Sequence, residues 1–175
     1  MEWGGGVSLI LVGGGARSGK SGHALHLAKL SGSRLAFIAT GTAGDDEMRH
    51  RIFLHQQDRG PEFTTFEEPL AVASVIDTHG LHFDAIVVDC LTLWLSNQMF
   101  ADCTGVQEQS RRLVSAAASS PARVILVTNE VGCGIVPENA LAREFRDLAG
   151  KLNQQAAEAA TEVYWTVFGI PLKVK

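Results

Sequence analysis

Only three cysteines occur in the chain, Cys90, Cys103 and Cys133, and no two of them stand in a CxxC pair. An odd number at wide spacing excludes a disulfide framework and offers no zinc-ligand pattern. The three read as free thiols of a reducing compartment. Runs of lysine or arginine are missing too. The 175-residue chain carries a net charge of −4, so duplex nucleic acid is not an expected partner. Long apolar runs are also absent. The first, Val7–Val12, is far too short to cross a bilayer, and no basic segment precedes it. The expectation is a soluble cytoplasmic protein with no membrane span. No linker, repeat or low-complexity stretch divides the sequence. A single domain over residues 1–175 is therefore expected, with glycine-rich Met1–Gly6 as a flexible extension.

Apolar residues make up 46% of the chain, enough for a sizeable core. Short apolar runs alternate with longer amphipathic ones. Strands are expected at Val7–Val12, Leu35–Ala39, Thr64–Phe66, Asp84–Asp89, Arg123–Thr128 and Glu162–Phe168. Helices are expected at Gly19–Leu30, Gly44–Asp58, Pro69–His79, Leu91–Phe100, Val106–Ser119 and Glu138–Ala160, with Gly150 a point where the last could break. Turn chemistry at Gly169-Ile170-Pro171 would return Leu172–Val174 as an antiparallel edge strand. This alternation predicts an α/β fold, a mainly parallel sheet covered on both faces.

The sharpest chemical signal is Gly14-Gly15-Ala16-Arg17-Ser18-Gly19-Lys20-Ser21, which matches GxxxxGK[ST]. It follows a strand and opens a helix, the context that such a phosphate-binding loop requires. Its glycines let backbone N–H groups wrap phosphates, and the helix N-terminus adds positive potential. Lys20 can reach the phosphates, and Ser21 can ligate Mg²⁺. Asp89 ends an apolar run, as does the acid that holds Mg²⁺ in many nucleotide-hydrolysing folds. Arg17 could touch phosphate or simply close the turn.

The segment Asp45–His55 puts acids in a first helical turn, which suits the helix dipole. His50 and His55 lie about 140° apart around such a helix, so they cannot both face one site. Neutral imidazole can attack phosphorus, yet residue physics alone reads either histidine as a solvated helix residue. Arg143 and Arg146 share a helix face and could meet phosphate or amide groups, or pair with Glu144 or Asp147. Asn129 and Glu130 follow a strand at its carboxyl end, where open α/β sheets bind ligands. Trp94 and Trp165 read as core.

Several stretches together resemble one family. They are Gly14–Ser21, Ile38-Ala39-Thr40, Asp45–Arg51 with His55, Phe66-Glu67-Glu68-Pro69, Val88–Asn97 (VDCLTLWLSN), Val127–Pro137 (VTNEVGCGIVP), Arg143–Asp147, Asn153-Gln154 and Gly169–Lys175. The sequence is similar to the bifunctional adenosylcobinamide kinases / adenosylcobinamide-phosphate guanylyltransferases of cobalamin assembly. The resemblance implies a three-layer, RecA-like P-loop NTPase fold and a homotrimer. It implies phosphorylation of the aminopropanol hydroxyl of adenosylcobinamide by ATP or GTP. It implies a second reaction, in which GTP guanylylates a histidine and the GMP passes to adenosylcobinamide phosphate, giving adenosylcobinamide-GDP. His55 stands at that histidine's position. Nucleotide contacts carry over to Thr40, Gly41, Thr42, Gln56, Gln57, Asp58, Arg59, Glu67 and Asp89. Met1–Gly6 lies outside the family pattern, and Gln56 stands where a basic residue is usual.

Two rival readings are a P-loop small-molecule kinase without covalent chemistry and a RecA-like nucleotide switch. Neither has a reason to need the TNEVGCGIVPEN stretch.

Overall fold

The computed structural model describes residues 8–42, 60–101 and 105–175. The chain runs β1 (Leu9–Gly14), α1 (Lys20–Lys29), β2 (Leu35–Ala39), β3 (Phe63–Glu67), α2 (Val72–His79), β4 (Ala85–Asp89), α3 (Leu91–Phe100), α4 (Val106–Ser119), β5 (Arg123–Asn129), α5 (Ala140–Ala159), β6 (Glu162–Val167) and β7 (Ile170–Lys173). The expected helix over Gly44–Asp58 lies outside the described residues.

The strands form one seven-stranded sheet in the order β3-β2-β4-β5-β1-β6-β7. All pairings are parallel except β6 with β7. Two apolar layers sandwich it. Leu9, Leu11, Ile38, Ile86, Val88, Val124 and Leu126 face α2 to α5, against Ile76, Leu91, Trp94, Leu113 and Leu152. Ile10, Val12, Phe37, Val87, Ile125 and Val127 face α1, through Ala24 and Ala28. Strands buried on both faces lose the polar–apolar alternation, so β1, β4 and β5 read as continuous apolar runs.

The amino ends of β2 and β4 are tied by Asp84. Its carboxylate accepts from the amides of Ser33 (3.0 Å) and Arg34 (2.9 Å) and from the Arg34 guanidinium (2.6 Å).

Three expectations need correction. The helix expected from Pro69 begins at Val72, because Glu68 accepts from the amides of Leu70 and Ala71, both at 2.8 Å, and holds that stretch as a turn. The helix around Gly150 does not break: α5 runs unbroken through it. Glycine there costs about 1 kcal/mol in propensity, and the buried Ala149, Leu152 and Ala156 offset it. β1 ends at Gly14, two residues later than expected, so the strand runs directly into the loop.

Candidate active site

The phosphate-binding loop spans the carboxyl end of β1 and the start of α1. Gly14 is required by packing: a Cβ there would overlap Ser18 Oγ and Thr166 Oγ1. Arg17 sits at φ 54° and Gly19 at φ 92°, so the loop closes through left-handed backbone at two positions. The Arg17 side chain is exposed, and Gly15 and Ala16 are open to solvent. α1 begins at Lys20 with no side-chain cap and no acid in its first turn. Its leading N–H groups are thus left for an anion.

The loop is braced from β6 and the β6–β7 turn. Ser18 Oγ lies 2.7 Å from Thr166 Oγ1, which donates to the Gly13 carbonyl at 2.9 Å. The Gly169 amide donates to the Ser18 carbonyl at 3.0 Å. A Cβ on Gly19 would stand 3.2 Å from Gly169 Cα, so the turn approaches the loop as closely as backbone permits. Residue reading missed Thr166. Nothing local marks a threonine so far along the chain as part of the loop.

Lys20 is buried, and its Nζ donates to the Gly15 carbonyl at 2.9 Å. Burial lowers its pKa, while the neighbouring Asp89 and Cys90 pull the other way. Asp89 lies half-buried at the end of β4, and Ser21 is half-buried beside Lys20. Among the described residues no cluster of three or more His, Cys, Asp or Glu could hold a metal alone. Ser21 hydroxyl and Asp89 carboxylate are hard oxygen donors too few to cage an ion. They fit one that keeps waters and takes phosphate oxygens as further ligands.

A polar network underlies this edge. Thr40 is fully buried, and its hydroxyl accepts from the Cys90 amide and donates to the Cys90 carbonyl, both at 2.8 Å. The Thr40 amide donates to the Asp89 carbonyl at 3.2 Å. Thr40 therefore orients the Asp89–Cys90 turn from beneath. Asn129 donates to Thr92 Oγ1 at 2.9 Å and pairs in register with Gly14, at the carboxyl edge. The Glu130 amide donates to the Gly14 carbonyl at 3.1 Å. Burial, with Asp89 adding to it, pushes the Cys90 thiol up, so it is a neutral packing group and no nucleophile.

Glu67 is exposed at the end of β3. Ala39 pairs with Glu67 on one side and Asp89 on the other, which sets both acids in one row across the sheet. β3 is four strand spacings from β1, about 19 Å. Gly41 is half-buried and Thr42 exposed at the end of β2. His55, Gln56, Gln57, Asp58 and Arg59 lie outside the described residues.

Arg143 does not pair with Glu144 or Asp147 among the described contacts. Its Nη1 donates to the carbonyls of Pro137 (3.0 Å) and Glu138 (2.7 Å), closing the loop before α5. Asn139 caps that helix, accepting from the Ala142 amide at 3.1 Å. Trp94 is buried as expected, and Trp165 is half-buried beside Gly13.

Comparison with known proteins gives a consistent picture. Residues 10–174 match the family described as cobinamide kinase / cobinamide phosphate guanyltransferase. The chain is 43% identical over 166 residues to the bifunctional adenosylcobalamin biosynthesis protein CobP of Pseudomonas aeruginosa, covering 94% of this chain and 96% of that one. It is 41% identical over 181 residues to the bifunctional adenosylcobalamin biosynthesis protein CobU of Escherichia coli, covering 95% and 99%. Among solved structures it is similar to flagellar accessory protein FlaH of Methanocaldococcus jannaschii (TM-score 0.56, 15% identity, 97% and 79% covered). The RadB recombinase is also similar (TM-score 0.54, 18% identity, 92% and 74% covered). At such identities these structures speak to fold alone, and they place the sheet in the RecA-like P-loop class.

Proposed function

The chain belongs to the cobinamide kinase / cobinamide phosphate guanyltransferase family, and from that premise we propose that its phosphate loop serves both reactions, with His55 carrying GMP between them. The protein is a bifunctional enzyme of adenosylcobalamin biosynthesis, acting as kinase and guanylyltransferase on cobinamide and its phosphate. The observation that carries the single-site reading is Lys20, buried in the loop at the carboxyl end of β1 and within electrostatic reach of Asp89.

In the kinase step the γ-phosphoryl of a nucleoside triphosphate moves to the aminopropanol hydroxyl of adenosylcobinamide. The loop N–H groups and Lys20 hold the β- and γ-phosphates and neutralise charge that builds on the leaving diphosphate. Lys20 Nζ spends one of its three hydrogens on the Gly15 carbonyl, which leaves two for phosphate oxygens. Ser21 and Asp89 would hold Mg²⁺, which supplies charge neutralisation when bound. In the transfer step a neutral His55 nitrogen attacks the α-phosphorus of GTP in line. The N–P bond forms as the bond to the pyrophosphate oxygen breaks, and pyrophosphate leaves. The phosphate oxygen of adenosylcobinamide phosphate then displaces the imidazole, giving adenosylcobinamide-GDP. Splitting one hard transfer into two easier ones is the use of the covalent step. Attack needs neutral imidazole, so the transfer rate falls as acid protonates the ring.

Glu67 is read as the guanine contact, because a carboxylate accepts from N1–H and N2–H of that base. Gly41, Thr42, Gln56, Gln57, Asp58 and Arg59 complete the proposed nucleotide site, while Thr40, expected there as a contact, is buried with its polar groups spent on Asp89, Cys90 and Asn97 and supports the site from beneath. The proposed assembly is a homotrimer, and a single-chain mass by light scattering would overturn it.

The test uses purified protein, Mg²⁺ and GTP labelled at the α-phosphorus, followed by denaturation. Acid-labile, base-stable label that vanishes with His55→Ala and survives His50→Ala is expected. Wild-type protein that makes adenosylcobinamide-GDP without ever retaining label would refute the covalent route.

A further inference from the structure

The ladder between β2 and β3 ends where the Glu68 amide donates to the Ala39 carbonyl at 3.0 Å. One residue further along each segment, a side chain from α3 takes over. Asn97 Nδ2 donates one hydrogen to the Thr40 carbonyl at 2.8 Å and the other to the Pro69 carbonyl at 3.1 Å. Both donors of that amide nitrogen are thereby used. Its neighbours on α3 hold the same loop: Trp94 Nε1 and Gln98 Nε2 both donate to the Leu70 carbonyl, at 2.9 and 2.8 Å. The Thr40 end is fixed in turn, since its amide and hydroxyl grip the Asp89–Cys90 turn. One amide thus connects the segment leading to Thr42 with the segment that begins at Glu67, at the point where the sheet no longer joins them.

We propose that Asn97 is a positioning residue for base selection: it fixes the separation between the Thr40–Thr42 and Glu67–Pro69 segments, so that the Glu67 carboxylate meets the N1–H and N2–H edge of guanine. The proposal rests on the reading of Glu67 as the guanine contact. The chemistry at position 97 is demanding. Two carbonyl oxygens face the same side chain, and only a group with two hydrogens on one atom satisfies both at once. An aspartate would set its negative oxygens against them. An alanine would leave two part-buried carbonyls unpaired and the two segments free to separate. Serine keeps a single donor and would hold one segment only.

The experiment compares GTP with inosine triphosphate, which lacks the N2 amino group, as substrates for guanylyl transfer. The wild type, Glu67→Gln, Asn97→Ala and Asn97→Ser are assayed on the full chain, with thermal unfolding to confirm folding. Glu67→Gln is expected to cut the GTP preference in kcat/KM by tenfold or more. Asn97→Ala is expected to cut it at least fivefold, chiefly through a raised KM for GTP with kcat within about twofold, and Asn97→Ser to fall between. Should Asn97→Ala not fold, Asn97→Ser carries the test alone. A preference reduced by Glu67→Gln and untouched by folded Asn97 variants overturns the positioning role and leaves Glu67 as the base contact. A preference unchanged by Glu67→Gln removes the reading of Glu67 and the proposal with it.

Discussion

Ser18 Oγ and Thr166 Oγ1 lie 2.7 Å apart, although the two residues are 148 positions apart in the chain. The phosphate loop is thus held by the last parallel strand of the sheet as well as by its own glycines. The nucleotide does not have to order the loop on arrival, because Thr166 and Gly169 already hold it.

Thr166→Val removes the hydroxyl that meets Ser18 and the Gly13 carbonyl. It should cost about 1–3 kcal/mol, because the buried Ser18 hydroxyl loses its partner, and weaken nucleotide binding. Gly14→Ala should be worse for binding, since its methyl group overlaps both Ser18 and Thr166. Urea midpoints and nucleotide titrations read the two effects separately. A Gly14→Ala protein with wild-type affinity would show that the loop relaxes freely.

Lys20→Ala should lower kcat for phosphorylation and for guanylyl transfer together, each by about 10²–10³, the scale for loss of one preorganised charge donor. His55→Ala should abolish only the transfer. Loss of a single activity in the Lys20 variant would mean that the two reactions use different phosphate sites.

The Arg34 guanidinium, then the Arg34 and Ser33 amides, hold the Asp84 carboxyl below its ordinary value. The folded state therefore gives up this proton more readily than the unfolded chain. The stabilisation is fully present above the unfolded carboxyl pKa, about 3.9, and is lost as pH falls through the lower folded value. Asp84→Asn should destabilise the protein at pH 7, by an amount that shrinks below about pH 4. The leading contribution comes from exposed Arg34, so the effect should shrink in 0.5 M salt to the part held by the Arg34 and Ser33 amides. Denaturation at pH 7 and pH 3 checks it. An undiminished gap at pH 3 would contradict the assignment.

Trp94 fills the layer beneath α2 to α5 and donates to the Leu70 carbonyl. Trp94→Ala should cost about 3–5 kcal/mol through the cavity. Trp94→Phe should cost only about 1 kcal/mol, because Gln98 still donates to the same carbonyl. Thermal unfolding of both variants gives the comparison. Equal losses would mean that the hydrogen bond outweighs the packing.

Much of the architecture was legible in the residues themselves. β4 and β5 are apolar through their interiors because both faces of a parallel sheet are covered, and that burial is written locally. The loop Gly14–Ser21 was legible for a related reason: wrapping phosphates needs contiguous glycines, a lysine and a following helix, all within eight residues. The family pattern also lay in the sequence, and it singled out His55 where helix periodicity could not.

What the sequence left open depended on strand order. Asp89 falls near Lys20 because β4 and β1 flank β5, an arrangement that no local period encodes. Thr40 is expected from its motif as a nucleotide contact, yet the fold buries it completely and spends its hydroxyl on Cys90. Thr166 and Asn97 give no local sign of their partners, which lie 148 and 57 positions away for Ser18 and Thr40. Sequence patterning determined which segments are strands, which are helices and where the phosphate loop sits, because burial and turn chemistry act over a few residues. Only the tertiary structure decided which side chains brace that loop and span the site, because such contacts depend on how distant strands are ordered.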